Sequence, residues 1–228
     1  MFKQRSIVIL MAILFAIIII VAFMILIHLG SPSDIVMAPG VKAEDEFTYE
    51  IKSFWNSQDP ETVPSDSFFE FNQTEWFKVT VTGVSEAEVS INTTWRFKNG
   101  TKLEGIGTMN VETGMPYPTG GFWAIYAASL KAGDNVRPIG PDRSTINETA
   151  TRQHANGTRE TNRITLVQKS YDANDPTHTR TWIEYMNNHF DRQTGMLFEL
   201  RDTNVYTNPD MTLTILWMII DTNVWTVS

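Results

Sequence analysis

Few side chains in this sequence are of the kinds that do chemistry, and those few are not spaced for it. The four histidines, His28, His154, His178 and His189, show no H-x-x-x-H or H-E-x-x-H spacing, so no zinc site is expected. No nucleophile elbow, phosphate loop or dinucleotide fingerprint occurs. Carboxylate pairs such as Glu70 and Glu75 are of the type that glycosidases use, but acids on strands and loops are ordinary. Asp172, Asn174 and Asp175 offer oxygens to a cation. The rest of a calcium loop is missing, and the stretch reads as a solvated turn. We expect no catalytic residue, no metal and no cofactor, and hence not an enzyme.

What the chain does hold in quantity is aromatic surface: seven Trp and thirteen Phe. Most must be core. A curved sheet, however, leaves a concavity, and an aromatic-lined concavity is a usual site for an apolar ligand. On the spacing of the strands below, Trp55, Trp95, Phe122, Trp123, Tyr126, Trp182 and Trp217 are the candidate ligand-binding residues.

The elements that must carry these residues are mostly strands. Phe47, Tyr49, Ile51 and Trp55 start an alternating pattern. Residues 56–67 hold Pro60 and Pro64 and read as a loop, followed by a short strand at 67–71. Phe77, Val79 and Val81 share one face of a strand, and Val89, Ile91, Thr93, Trp95 and Phe97 share one face of the next. Asn99-Gly100 predicts a type I′ hairpin turn into residues 102–112. Gly105 and Gly107 there suggest a bend or bulge. A second hairpin is expected at Asn156-Gly157, between strands at 145–155 and 158–171. Further strands are expected at 182–187, 196–201 and 212–220. Residues 212–220 are apolar on both faces, the mark of a central, covered strand. Phe122, Trp123, Tyr126 and Leu130 stand at helical spacing with alanines between them and Gly133 beyond, which predicts one short helix over 122–131. Its aromatic face packs on the sheet or lids a cavity. The expected fold is mainly β: a curved antiparallel sheet, half-barrel or barrel-like meander, with one short helix.

Ahead of this domain, residues 6–29 are apolar except for Ser6 and His28. A bilayer core needs roughly 20 such residues in a helix. Lys3 and Arg5 precede the segment and no cation follows it closely, so the positive-inside rule places the N-terminus in the cytoplasm and the remainder outside. The expected organisation is a transmembrane signal anchor at 1–29, a linker at 30–42 and an extracellular β-rich domain at 43–228. The part beyond the anchor carries 16 Lys and Arg against 26 acids, a net −10, which argues against a nucleic-acid partner. There is no cysteine, so the fold needs no disulfides. Five N-x-Thr sequons, at Asn72, Asn92, Asn99, Asn147 and Asn156, are candidate glycosylation sites of an exported chain.

The runs Glu75-Trp76-Phe77-Lys78-Val79-Thr80-Val81, Thr145-Ile146-Asn147-Glu148-Thr149 and Phe190-Asp191-Arg192-Gln193-Thr194-Gly195-Met196-Leu197 resemble a family of archaeal membrane-anchored surface proteins. The last of these turns is also similar to one in lipoprotein-carrier-like half-barrels of bacterial envelopes. Those wrap a curved antiparallel sheet around helices and bind acyl chains, whereas this chain offers one helix. The resemblance implies a binding fold and brings no catalytic residues. The expected function is therefore a membrane-anchored extracellular binding or envelope domain holding a lipid or other apolar ligand. The alternative is a surface adhesion module with a filled core that meets another surface protein.

Overall fold

A computed structural model of the protein describes residues 37–117, 122–154, 157–177 and 179–226. The expected anchor, most of the linker, Asn156 and His178 lie outside these residues. Among the described residues, no helix is long and apolar enough to cross a membrane. Packing begins before residue 43. Val41 is buried, and a Cβ on Gly40 would lie 1.9 Å from the Gln193 carbonyl oxygen.

Alternation of apolar and polar residues makes strands here, and ten strands form one antiparallel sheet. They are β1 (Glu46–Ser57), β2 (Thr74–Ser85), β3 (Glu88–Phe97), β4 (Lys102–Asn110), β5 (Pro116–Tyr117), β6 (Glu148–His154), β7 (Gly157–Tyr171), β8 (Thr181–Asp191), β9 (Leu197–Thr207) and β10 (Asp210–Thr222). The sheet order is β5-β4-β3-β2-β1-β10-β9-β8-β7-β6. Two meanders thus run outward from a central β1–β10 pair, and β5 and β6 are the two edges. The open, curved sheet agrees with the expected class.

The β5–β6 connection must return from one edge to the other, and it does so over the concave face. Its residues 122–147 form an irregular strap rather than the expected helix. The reason is visible in the backbone bonds. Tyr126 N–H donates to Gly195 O, Ala128 N–H to Ala38 O and Ser129 N–H to Arg192 O, while Ala124 O accepts from Leu197 N–H. Partners on neighbouring segments replace the i→i−4 bonds a helix would make. Phe122, Ala124, Ile125, Tyr126, Ala127 and Leu130 are all buried, so apolar side chains on every side of the strap mimic helical spacing. The short helix lies elsewhere. It is α1 (Asp66–Glu70), continued by a 3-10 turn at Phe71–Gln73, where the alternation suggests loop and strand. Pro64, Ser65 at the N-cap and Asp66 in the first turn are the start signal.

The core occupies the concave side, with Phe47, Tyr49, Val79, Val81, Val89 and Ile91 under the strap. β10 is central, as expected, but covered on one face only. Ile219 is buried, whereas Met218 and Ile220 on the convex face are exposed. Asn99-Gly100 does join β3 to β4. Gly100 alone takes a positive φ (+87°), so the turn is a three-residue loop closing on a left-handed glycine rather than type I′. Gly105 and Gly107 make no bulge: the β3–β4 register is unbroken. Irregularities fall instead in β2, at Thr74/Trp76 and Val81/Gly83, and elsewhere at Thr48/Tyr49 and His189/Phe190.

Candidate functional site

Where the strap leaves the concave face partly uncovered, a pocket of about 420 Å³ opens. Its wall is Phe71, Phe77, Thr93, Trp95, Phe122, Trp123, Ala124, Leu197, Leu200 and Trp217. The sheet register assembles it. Phe77 is opposite Trp95 across β2–β3, and Trp217 is opposite Leu200 across β10–β9. Ile51 of β1, opposite Trp217, and Tyr49, opposite Phe77, join the two halves. The strap adds Phe122 to Ala124, and the 3-10 turn adds Phe71.

Neighbouring rings hold one another in place. Phe77 meets Trp217 edge-on at 5.1 Å and Trp95 edge-on at 5.7 Å, and Phe122 lies 6.0 Å from Phe77. Phe97 stacks on the outer side of the pair at 5.4 Å from Trp95. The Trp95 indole N–H donates to the buried Thr74 Oγ1 at 2.8 Å, so it asks nothing of a ligand. No wall residue is ionisable. Trp123 stands at the rim, 44% exposed.

Behind the pocket, the buried Arg137 holds the strap. Its guanidinium donates to the carbonyls of Ile125 (2.7 Å), Val111 (3.1 Å) and Trp123 (3.1 Å) and lies 4.4 Å over the Tyr126 ring. Burial lowers the Arg137 pKa, and burial of the Tyr126 phenol, outweighing the nearby guanidinium charge, raises the phenol well above its ordinary range. Tyr126 itself accepts from Asn188 Nδ2 and stacks on Phe190 at 4.3 Å.

Of the seven aromatic candidates, the structure brings Trp95, Phe122, Trp123 and Trp217 into this one wall. Tyr126 is below it, in the core. Trp55 packs edge-on against Phe69 of α1, and Trp182 stacks on Tyr206 at 5.6 Å, both away from the pocket. Phe77 belongs to the wall and was readable from its alternation with Val79. Phe71 ends the stretch read as a short strand, Arg137 lies beyond the expected helix, and nothing local marks either.

The polar candidates separate. Asn92, Asn99 and Asn147 are exposed. Asn72 is half-buried and tied at both ends: its Oδ1 accepts the Ser53 N–H (2.8 Å) and its Nδ2 donates to Ser53 O (3.0 Å). The Asp175 carboxylate accepts from Thr177, Thr179 and Arg180, which holds its pKa well below the usual carboxylate range. Glu75 pairs with Arg96 at 3.0 Å. On the far concave face Asp202 lies near Glu184, and burial first, then that charge, raises its pKa. Among the described residues, no group of three His, Cys, Asp or Glu could hold a metal ion. No protein-family model and no curated protein matches the chain.

Proposed function

We propose that this chain is a membrane-anchored envelope domain that holds one apolar chain, such as the acyl tail of a lipid, in the pocket beside Trp217. The observation that carries this reading is the aromatic, uncharged cavity of about 420 Å³. Its volume is at the small end of the range for small-molecule sites, roughly 300–1,000 Å³. That suits one chain rather than two. Burial of apolar surface supplies the affinity, about 0.8 kcal/mol per methylene, and any polar head stays at the rim beside Trp123. The apolar segment at 6–29 supports membrane attachment, and the exposed sequon asparagines Asn92, Asn99 and Asn147 support an outside location.

The indoles of Trp95 and Trp217 report on occupancy. Titration with a long-chain fatty acid should change tryptophan fluorescence saturably. Ala124→Leu, which grows a side chain into the cavity, should weaken that response at least tenfold while the protein stays folded. A flat titration of the folded wild type sinks the proposal.

A further inference from the structure

The fold holds the asparagines of the described sequons in different ways. At Asn72-Gln73-Thr74 both ends of the motif are spent. The Asn72 carboxamide is bonded to the Ser53 backbone through its oxygen and through its nitrogen. Thr74 is buried, and its hydroxyl accepts the Trp95 indole N–H. The carboxamide oxygens of Asn99 and Asn147 accept the N–H groups of Thr101 (2.9 Å) and Thr165 (2.6 Å). Asn92 is exposed, and among the described residues its carboxamide makes no hydrogen bond.

Asn92 projects from the convex face of β3, since its neighbour Ile91 is buried on the concave side. The register sets Thr80 of β2 on one side of it and Ile106 of β4 on the other. Thr94 is two residues further along the same strand and shares that face. The carboxamide and the hydroxyl of the sequon therefore stand together at the surface. Asn92 and Thr94 help to line a groove of about 390 Å³ with Thr80, Glu104 and Ile106. That volume falls in the range of small-molecule sites, roughly 300–1,000 Å³. The Ile106 side chain is 76% exposed.

We propose that Asn92 carries an N-linked glycan whose first sugar lies in this groove, and that Asn72 stays unmodified. The proposal rests on the extracellular reading above. The sugar donor is an oligosaccharide joined through phosphate to a polyprenol carrier. Asn92 Nδ2 bonds to C1 of the sugar and gives up a proton to solvent. The bond from C1 to the phosphate oxygen breaks, and the phosphate leaves with the electron pair. A pyranose ring has an apolar C–H face and a rim of hydroxyls. Its C–H face packs on Ile106, and its hydroxyls meet Thr80, Thr94 and Glu104. A tethered sugar suits this groove because the tether, Asn92, is one of its walls.

Glycopeptide mass spectrometry of the full-length chain, purified from cells that make it, reads each sequon. Sugar at Asn92 and none at Asn72 is the expected result. Sugar at Asn72, or sugar at Asn99 or Asn147 with Asn92 bare, overturns the proposal and leaves the extracellular reading standing. Bare asparagines at every sequon overturn the proposal and remove the sequons' support for an outside location. The seat is tested separately. Asn92→Gln should raise binding of a hydrophobic dye at least twofold over the glycosylated wild type, and Ile106→Thr should erase that rise. An equal rise with isoleucine or threonine at position 106 would overturn the placement of the sugar on Ile106.

Discussion

Single side chains set the chemistry this fold tolerates. His189 is buried on the convex side, and Arg152 donates to its Nε2 at 2.9 Å. Burial, then the charges of Arg152 and Arg163, lowers its pKa to about 4. Glu199 and Glu148, paired with those arginines, complete its surroundings. The folded state therefore prefers the neutral ring, and the unfolded chain binds more protons between about pH 6.5 and 4. The contribution is complete above about pH 6.5 and is lost as pH falls toward 4. Denaturant titrations at pH 7.5 and 4.5 should show a smaller acid loss for His189→Gln than for wild type; equal losses would contradict this. The arginine neighbours of His189 come from β6 and β7 and had no local signature in the sequence. Trp95 and Trp217 were readable as concave-face residues from alternation alone. Their meeting was not, because it depends on the β1–β10 pairing, which joins residues more than 150 positions apart.

Two elements are tied to each other beside the pocket: the strap and the turn between β8 and β9. In that turn, Asp191 accepts from Thr194 N–H and Oγ1 and pairs with Arg159, and Gly195 takes φ +76°. A Cβ at residue 195 would lie 2.0 Å from Tyr126 O, a strap atom. Gly195→Ala should therefore cost at least about 2 kcal/mol in chemical denaturation, through strain and loss of the strap contact together. Arg137→Met should cost on the order of 3 kcal/mol, since three strap and loop carbonyls lose their donor. A change below about 1 kcal/mol would show that the strap is held otherwise. The turn was legible as a motif because aspartate, threonine and glycine each do a local job. The strap was misread as a helix for the opposite reason. Over residues 124–129 its backbone hydrogen bonds run to Ala38, Arg192, Gly195 and Leu197, and the consecutive buried residues 124–127 leave no amphipathic face to read.

At the scale of the molecule, the chain places its two terminal strands at the centre of one sheet and returns across the concave face. The mainly antiparallel architecture followed from hairpin-linked alternation. The split into two outward meanders did not, since nothing in a strand's own sequence names a partner at the other end of the chain. An open sheet with one covered face must fill its concavity with its own residues or with something else. The strap fills most of it and leaves about 420 Å³ of aromatic wall. Native mass spectrometry of residues 37–228, purified from cells that make the protein, tests most directly whether that space is occupied. We predict a co-purifying mass of lipid size that is lost in Trp123→Ala, whose rim position leaves the core intact. A bare protein mass, or protein plus glycan alone, would contradict the ligand-holding account.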